Sequence, residues 1–149
     1  MLLSDQPRMG IEELVDAGVA ALIIPKIPAL KLEVDEHHHH KGVYEHSLTV
    51  LEQAISYEEN YGLKKDIVLR LAALLHDIGK PQTRKLESGG GVTFYHHDVV
   101  GAKMASKRLH DLRYDNDTIK SVARLIELHL RFFGYSGQKY KQKNNEVAV

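Results

Sequence analysis

The stretch "KDIVLRLAALLHD" at 65–77 is apolar nearly all round, and a helix of that kind is stable only at the centre of a core. In a chain of 149 residues this leaves room for one domain assembled around that helix. The run passes directly into "HDIGKP" at 76–81, so a histidine and an aspartate stand where the central helix ends. Folding alone does not require that order.

The remaining elements follow from periodicity and punctuation. A helix is expected from Val43 to about Tyr61, with Gly62 as its stop. Val43, Val50, Ala54, Tyr57 and Tyr61 are expected on its apolar face, flanked by Leu48, Leu51 and Ile55, with His46 projecting inward beside Val50 and Tyr57. Pro81 ends the central run, and Gly89 to Gly91 separate two short β-prone stretches, which predicts a small hairpin. A third core helix is expected over 98–112, with Gly101 and Ala105 allowing close approach. In a fourth, Ile119, Val122, Ala123, Ile126, Leu130 and Phe133 hold the 3,4 spacing, and His129 sits on the same stripe. "DND" at 115–117 is expected to cap that helix rather than to bind metal.

Outside this core, residues 1–42 read as a leader segment that packs on the core. It holds the helix "GIEELVDAG" and then an irregular segment in which Pro25 and Pro28 forbid a long helix. Residues 43–135 form the domain, and 136–149 read as a polar, flexible tail. "HHHH" at 37–40 is internal and short, so an affinity-tag scar is the lesser reading. The expected fold class is therefore all-α, a helical bundle with a small β-hairpin between the second and third core helices.

Composition restricts the chemistry. There is no cysteine, so a metal here must be held by nitrogen and oxygen. Lys plus Arg equals Asp plus Glu at 20 each, which removes the global positive field of a general nucleic-acid binder. No apolar run approaches the roughly 18 residues that span a bilayer, and the N-terminus lacks a signal-peptide pattern, so a cytoplasmic protein without membrane partners is expected. Ten histidines stand out, because imidazole is the commonest metal ligand.

Three helices direct His46, His76 with Asp77, and His129 toward the interior, while the hairpin delivers His96, His97 and Asp98 to the start of another helix. Ligands from separate elements converging on one point are what a metal site needs. Set against this, a lone His on an apolar stripe is more often a hydrogen-bonded core residue, and His110 beside Asp111 reads as surface. Lys80 could contact a phosphate or merely complement a helix C-terminus.

The order His46, His76-Asp77 followed by Ile-Gly-Lys-Pro, His97 in "FYHHD", and His129 in "ELHLRF" resembles the HD-domain superfamily of metal-dependent phosphohydrolases. "HKGVYEHSLTVLEQAI", "LRLAALLHDIGKPQTR", "GGGVTFYHHDVVGAKM" and "ELHLRF" are together similar to the HD domain of bacterial CCA-adding tRNA nucleotidyltransferases and poly(A) polymerases, particularly the actinobacterial type. The resemblance extends into the leader, from "PRMGIEELVDAG" to "PALKLE". It implies a nucleotidyltransferase head upstream that this chain lacks, so the chain alone is not expected to add nucleotides. The superfamily closes its site with a late aspartate, yet no Asp occurs after Asp117; Gly42 and Asp98 replace the family's usual Asp and Glu.

The resemblance implies a divalent ion on His46, His76 and Asp77, with Asp77 and Lys80 as catalytic residues. His97, His129 and His96 are implied for a second ion or for the phosphate. Manganese, iron, nickel, cobalt, zinc or magnesium are all compatible with such ligands. The expected activity is hydrolysis of a nucleotide or RNA-end phosphoester. The alternative is a non-catalytic tRNA-binding or structural module, with Lys103, Lys107, Arg108 and Arg113 facing RNA phosphates, although an ordinary solvated helix face explains those four residues slightly better. An oligomer is compatible with either reading.

Overall fold

A computed structural model describes residues 1–32 and 42–136. The histidine run at 37–40 and the tail from 137 onward lie outside the described residues. The leader contains α1 (Pro7–Asp16), α2 (Ala20–Ile23), α3 (Lys26–Ala29) and a 3-10 turn at Leu30–Leu32. The core contains α4 (Val43–Asn60), α5 (Ile67–Leu75), the short α6 (Lys80–Thr83), α7 (His97–Asp111) and α8 (Asn116–Ser136). The all-α reading holds, and β1 (Lys85–Leu86) pairs antiparallel with β2 (Val92–Thr93) in the expected hairpin. Gly90 takes the left-handed conformation in its turn, with φ 91°.

As the prolines require, no long helix forms in the described part of the segment expected to be irregular, but it does hold the short α3 and the 3-10 turn. Pro25 is the cap of α3, and Pro28 falls in its first turn, where a missing N–H removes no intrahelical bond. The prolines therefore shorten the helices without abolishing them.

The central position of α5 is as expected: Leu71, Ala72, Ala73, Leu74 and Leu75 are buried, and the helix packs against both α4 and α8. Asp66 begins it, its side chain accepting from the Val68 and Leu69 backbone N–H groups. α7 lies along α8, with Gly101 and Ala105 buried between them and their neighbours. Asp115 caps α8 through the Thr118 N–H at 3.0 Å, as its place before a helix suggested.

The buried face of α4 is as expected at Val43, Leu48 and Leu51 but differs at Tyr44 and at the helix end: Tyr44 and Glu58 face the core, whereas Tyr57 and Tyr61 are 52% and 68% exposed. The reason is a partner that periodicity does not reveal. Arg70, buried inside α5, donates to Glu58 Oε1 from Nη2 at 2.7 Å and reaches the Leu2 and Ser4 carbonyls with Nη1. Satisfying that guanidinium requires Glu58 to turn inward, and the end of α4 rotates its tyrosines to solvent. The same arginine ties the beginning of the leader to the core.

Candidate metal centre

His46 comes from the first turns of α4, and His76 and Asp77 from the end of α5. Lys80 is the first residue of α6, His97 the first of α7, and His129 lies within α8. Asp77 is 2% exposed, and the others surround its carboxylate. Oδ1 lies 3.1 Å from His97 Nε2 and 3.6 Å from His129 Nε2. Oδ2 lies 3.1 Å from His76 Nε2, 3.3 Å from Lys80 Nζ and 3.8 Å from His46 Nε2. The ligand atoms thus form two triads, His46–His76–Asp77 and Asp77–His97–His129, each within 4.8 Å and both sharing Asp77.

The close assembly depends on glycine. A Cβ on Gly79 would lie 2.4 Å from the His97 carbonyl oxygen and 2.7 Å from the Gly101 nitrogen. The backbone after the His-Asp pair therefore crosses the start of α7 in direct contact, and this brings His97 to Asp77. Gly79 and Gly101 together set the separation of the two chain segments.

Three of the imidazoles are oriented by their own backbone. Nδ1 of His76 lies 2.7 Å from the Ala73 carbonyl, that of His97 3.0 Å from Phe94, and that of His129 2.6 Å from Ile126. Each Nδ1–H donates to its carbonyl, so in each ring Nε2 is the atom turned toward Asp77, the arrangement that orients metal-binding histidines. Oδ2 of Asp77 is buried and receives no aligned hydrogen bond among the described residues, despite the short contacts around it. A buried carboxylate oxygen in that condition, with imidazole nitrogens of His46 and His76 beside it, is part of a donor set that fits a divalent cation.

The electrostatics agree. Burial disfavours charge on Asp77, but the charge of His76 and the imidazoles of His129 and His97 hold it well below the usual carboxylate range. Burial likewise opposes a proton on His76, yet Asp77 beside it raises that imidazole above its ordinary value. Burial pushes His129 down. Lys80, 3% exposed, sets its ammonium 5.4 Å from the Phe94 ring as well as beside Asp77.

Other residues singled out from sequence stand elsewhere. His96 is exposed, in a left-handed conformation with φ 63°, and belongs to neither triad. Lys103, Lys107 and Arg113 are exposed, whereas Arg108 donates to the Ile23 and Leu22 carbonyls and fastens α7 to the leader. His110 and Asp111 lie on the surface. Periodicity left unseen the sharing of Asp77 and the nearness of Phe94 to Lys80, because both arise where distant segments cross.

The family model described as HD domain matches residues 43–149. The chain belongs to the HD-domain family. It is also similar to the A-adding tRNA nucleotidyltransferase of Deinococcus radiodurans and the CC-adding tRNA nucleotidyltransferase of Thermus thermophilus, at 30% identity over 131 residues in each case. Those matches cover 87% of this chain but 29% of each relative. The Multifunctional CCA protein of Pseudomonas fluorescens is 30% identical over 109 residues, which is 72% of this chain and 25% of that relative. The HD-domain chain therefore spans under a third of the length of these relatives. Among its described residues, no helix is long and apolar enough to cross a membrane.

Proposed function

We propose that this HD-domain protein is a divalent-metal-dependent phosphohydrolase acting on a nucleotide or RNA-end phosphoester in the cytoplasm. The observation that carries the reading is Asp77, buried and shared by two triads whose imidazoles turn Nε2 toward it. His46, His76 and Asp77 would hold one ion, and His97 and His129 would join Asp77 for a second or bind the phosphate. When bound, such an ion would lower the pKa of a coordinated water to about 7 and stabilise charge developing on phosphorus. The chain's own residues supply the rest. Asp77 offsets the positive charge of the site, and the carbonyls of Ala73, Phe94 and Ile126 keep the three rings from rotating. Lys80, held rigidly by burial, places a cation where phosphate oxygens gather charge. We assign this chemistry to residues 43–135, with 1–42 as the leader segment.

The test is metal content of protein purified without metal-affinity resin, measured by elemental mass spectrometry. Hydrolysis of bis-p-nitrophenyl phosphate and of nucleoside monophosphates is measured on the same samples. Near-stoichiometric metal and turnover, both lost in His76→Ala with Asp77→Ala while helicity is kept, are expected. Turnover that survives the double substitution overturns the reading.

The rival reading, a tRNA-binding module without catalysis, draws on the names of the relatives and on Lys103 and Lys107, exposed one turn apart on α7. It predicts salt-dependent tRNA binding that weakens when both lysines become alanine.

A further inference from the structure

Lys80 reaches the centre from a fixed stretch of backbone. Its N–H donates to the Asp77 carbonyl at 3.0 Å, and the Thr83 hydroxyl donates to the Gly79 and Lys80 carbonyls at 2.9 and 3.3 Å. The side-chain stem beyond is flexible, so groups at its tip decide where the ammonium sits. Two such groups are the Asp77 carboxylate, 3.3 Å from Nζ at Oδ2, and the Phe94 ring, whose centroid is 5.4 Å away.

These two groups differ in what a metal ion would do to them. Asp77 belongs to both candidate triads, so a cation held there would share the carboxylate's charge and repel a neighbouring ammonium. A phenyl ring is no ligand for such an ion, and the negative face of the ring attracts an ammonium on its own account. That attraction is stronger away from water, and Lys80 is 3% exposed. Nor does core packing account for the ring. Phe94 is half-buried, just past β2, and is not among the residues that form the hydrophobic core or pack against it. Its carbonyl accepts from the His97 N–H at 3.2 Å and from the His97 Nδ1–H at 3.0 Å, which anchors the residue at the start of α7.

We infer that Phe94 is a positioning residue for Lys80, its ring holding the ammonium at the edge of the centre independently of the Asp77 carboxylate. The ring would act through Lys80, which is the group that meets a phosphate. This rests on the phosphohydrolase reading for the phosphate, and it adds to that reading a residue from the end of the hairpin.

The experiment is a double-substitution cycle, read by calorimetric titration of the full chain with inorganic phosphate, with and without stoichiometric manganese. Phe94→Leu and Phe94→Met keep apolar bulk without a ring face, and each should weaken phosphate binding about tenfold. Lys80→Met should weaken it by a similar factor. In the Lys80→Met background neither Phe94 substitution should add a further loss, whereas a ring that only supports the fold would show the same loss in both backgrounds. Phe94→Tyr should keep wild-type binding, because its ring offers the ammonium the same face. Circular dichroism and urea midpoints check the fold of each variant. Equal losses in the two backgrounds, phosphate binding indifferent to Phe94, or no phosphate binding by wild type overturns the inference. Turnover is measured separately. Binding coupled through Phe94 and Lys80 in a protein that hydrolyses nothing would retain the positioning role and reject the hydrolase, and turnover with uncoupled losses would do the reverse.

Discussion

The Nε2 atoms of His97 and His129 face each other at 3.1 Å while each ring donates its Nδ1–H to a carbonyl three residues earlier in its own segment. Both Nε2 atoms therefore turn toward one another and toward Asp77 Oδ1, a set of donor atoms that a cation would draw together. A divalent ion should therefore stabilise the fold. At a free concentration 100 times its Kd, one bound ion adds about 2.7 kcal/mol. For a chain of this size that raises Tm by about 5–10 °C. Differential scanning fluorimetry with manganese or nickel should show this rise in wild type and none in His76→Ala with Asp77→Ala.

Gly79→Ala should be among the most damaging single methyl additions. The new Cβ would meet the backbone of His97 and Gly101, which cannot rotate away as a side chain could. Separating the two segments should cost about 3 kcal/mol and displace His97 from Asp77. Urea unfolding measures the first effect and metal content the second; an unchanged urea midpoint would contradict the crossing described for Gly79.

The buried Glu58–Arg70 pair gives stability its acid limit. Burial opposes the charge on Glu58, but Arg70 and the Asp66 backbone N–H more than offset it, so the folded carboxyl lies below its ordinary value of 4.5. A carboxylate depressed in the folded state contributes stability that is present above the unfolded pKa and lost as pH falls through the folded one. Urea midpoints should therefore drop as pH is lowered from about 5, near the reference carboxylate range. Glu58→Gln should flatten that limb. It should also lower stability at neutral pH by about 3–5 kcal/mol, because Arg70 keeps its charge in the core.

Arg113 ends α7 in the left-handed conformation, with φ 65°. Its N–H bonds to the His110 carbonyl and that of Tyr114 to Leu109, the pair of bonds that favours glycine at this position. Arg113→Gly should stabilise the protein by about 0.5–1 kcal/mol, the relief of side-chain crowding less the added freedom of the unfolded chain. Thermal unfolding measures it, and a fall in Tm would contradict the assignment.

Much of the molecule was legible in one dimension. Hydrophobic period and punctuation placed α4, α5, α7 and α8, and the unbroken apolar run placed α5 at the centre, because local backbone preference and burial act over a few residues. The order of His46, His76, Asp77, His97 and His129 and its family resemblance pointed to residues that the fold gathers around one carboxylate. Periodicity failed where a long-range partner outweighed local pattern: it set Tyr57 and Tyr61 inward, whereas Arg70 drew Glu58 into the core in their place. Only the tertiary structure decided that Asp77 serves both triads, that His96 faces away while His97 faces in, and that Lys80 lies between a carboxylate and a phenyl ring. These are distances between segments far apart in the chain. They are set by the close crossing at Gly79 and by carbonyls that fix each imidazole, and only the packed fold brings those together.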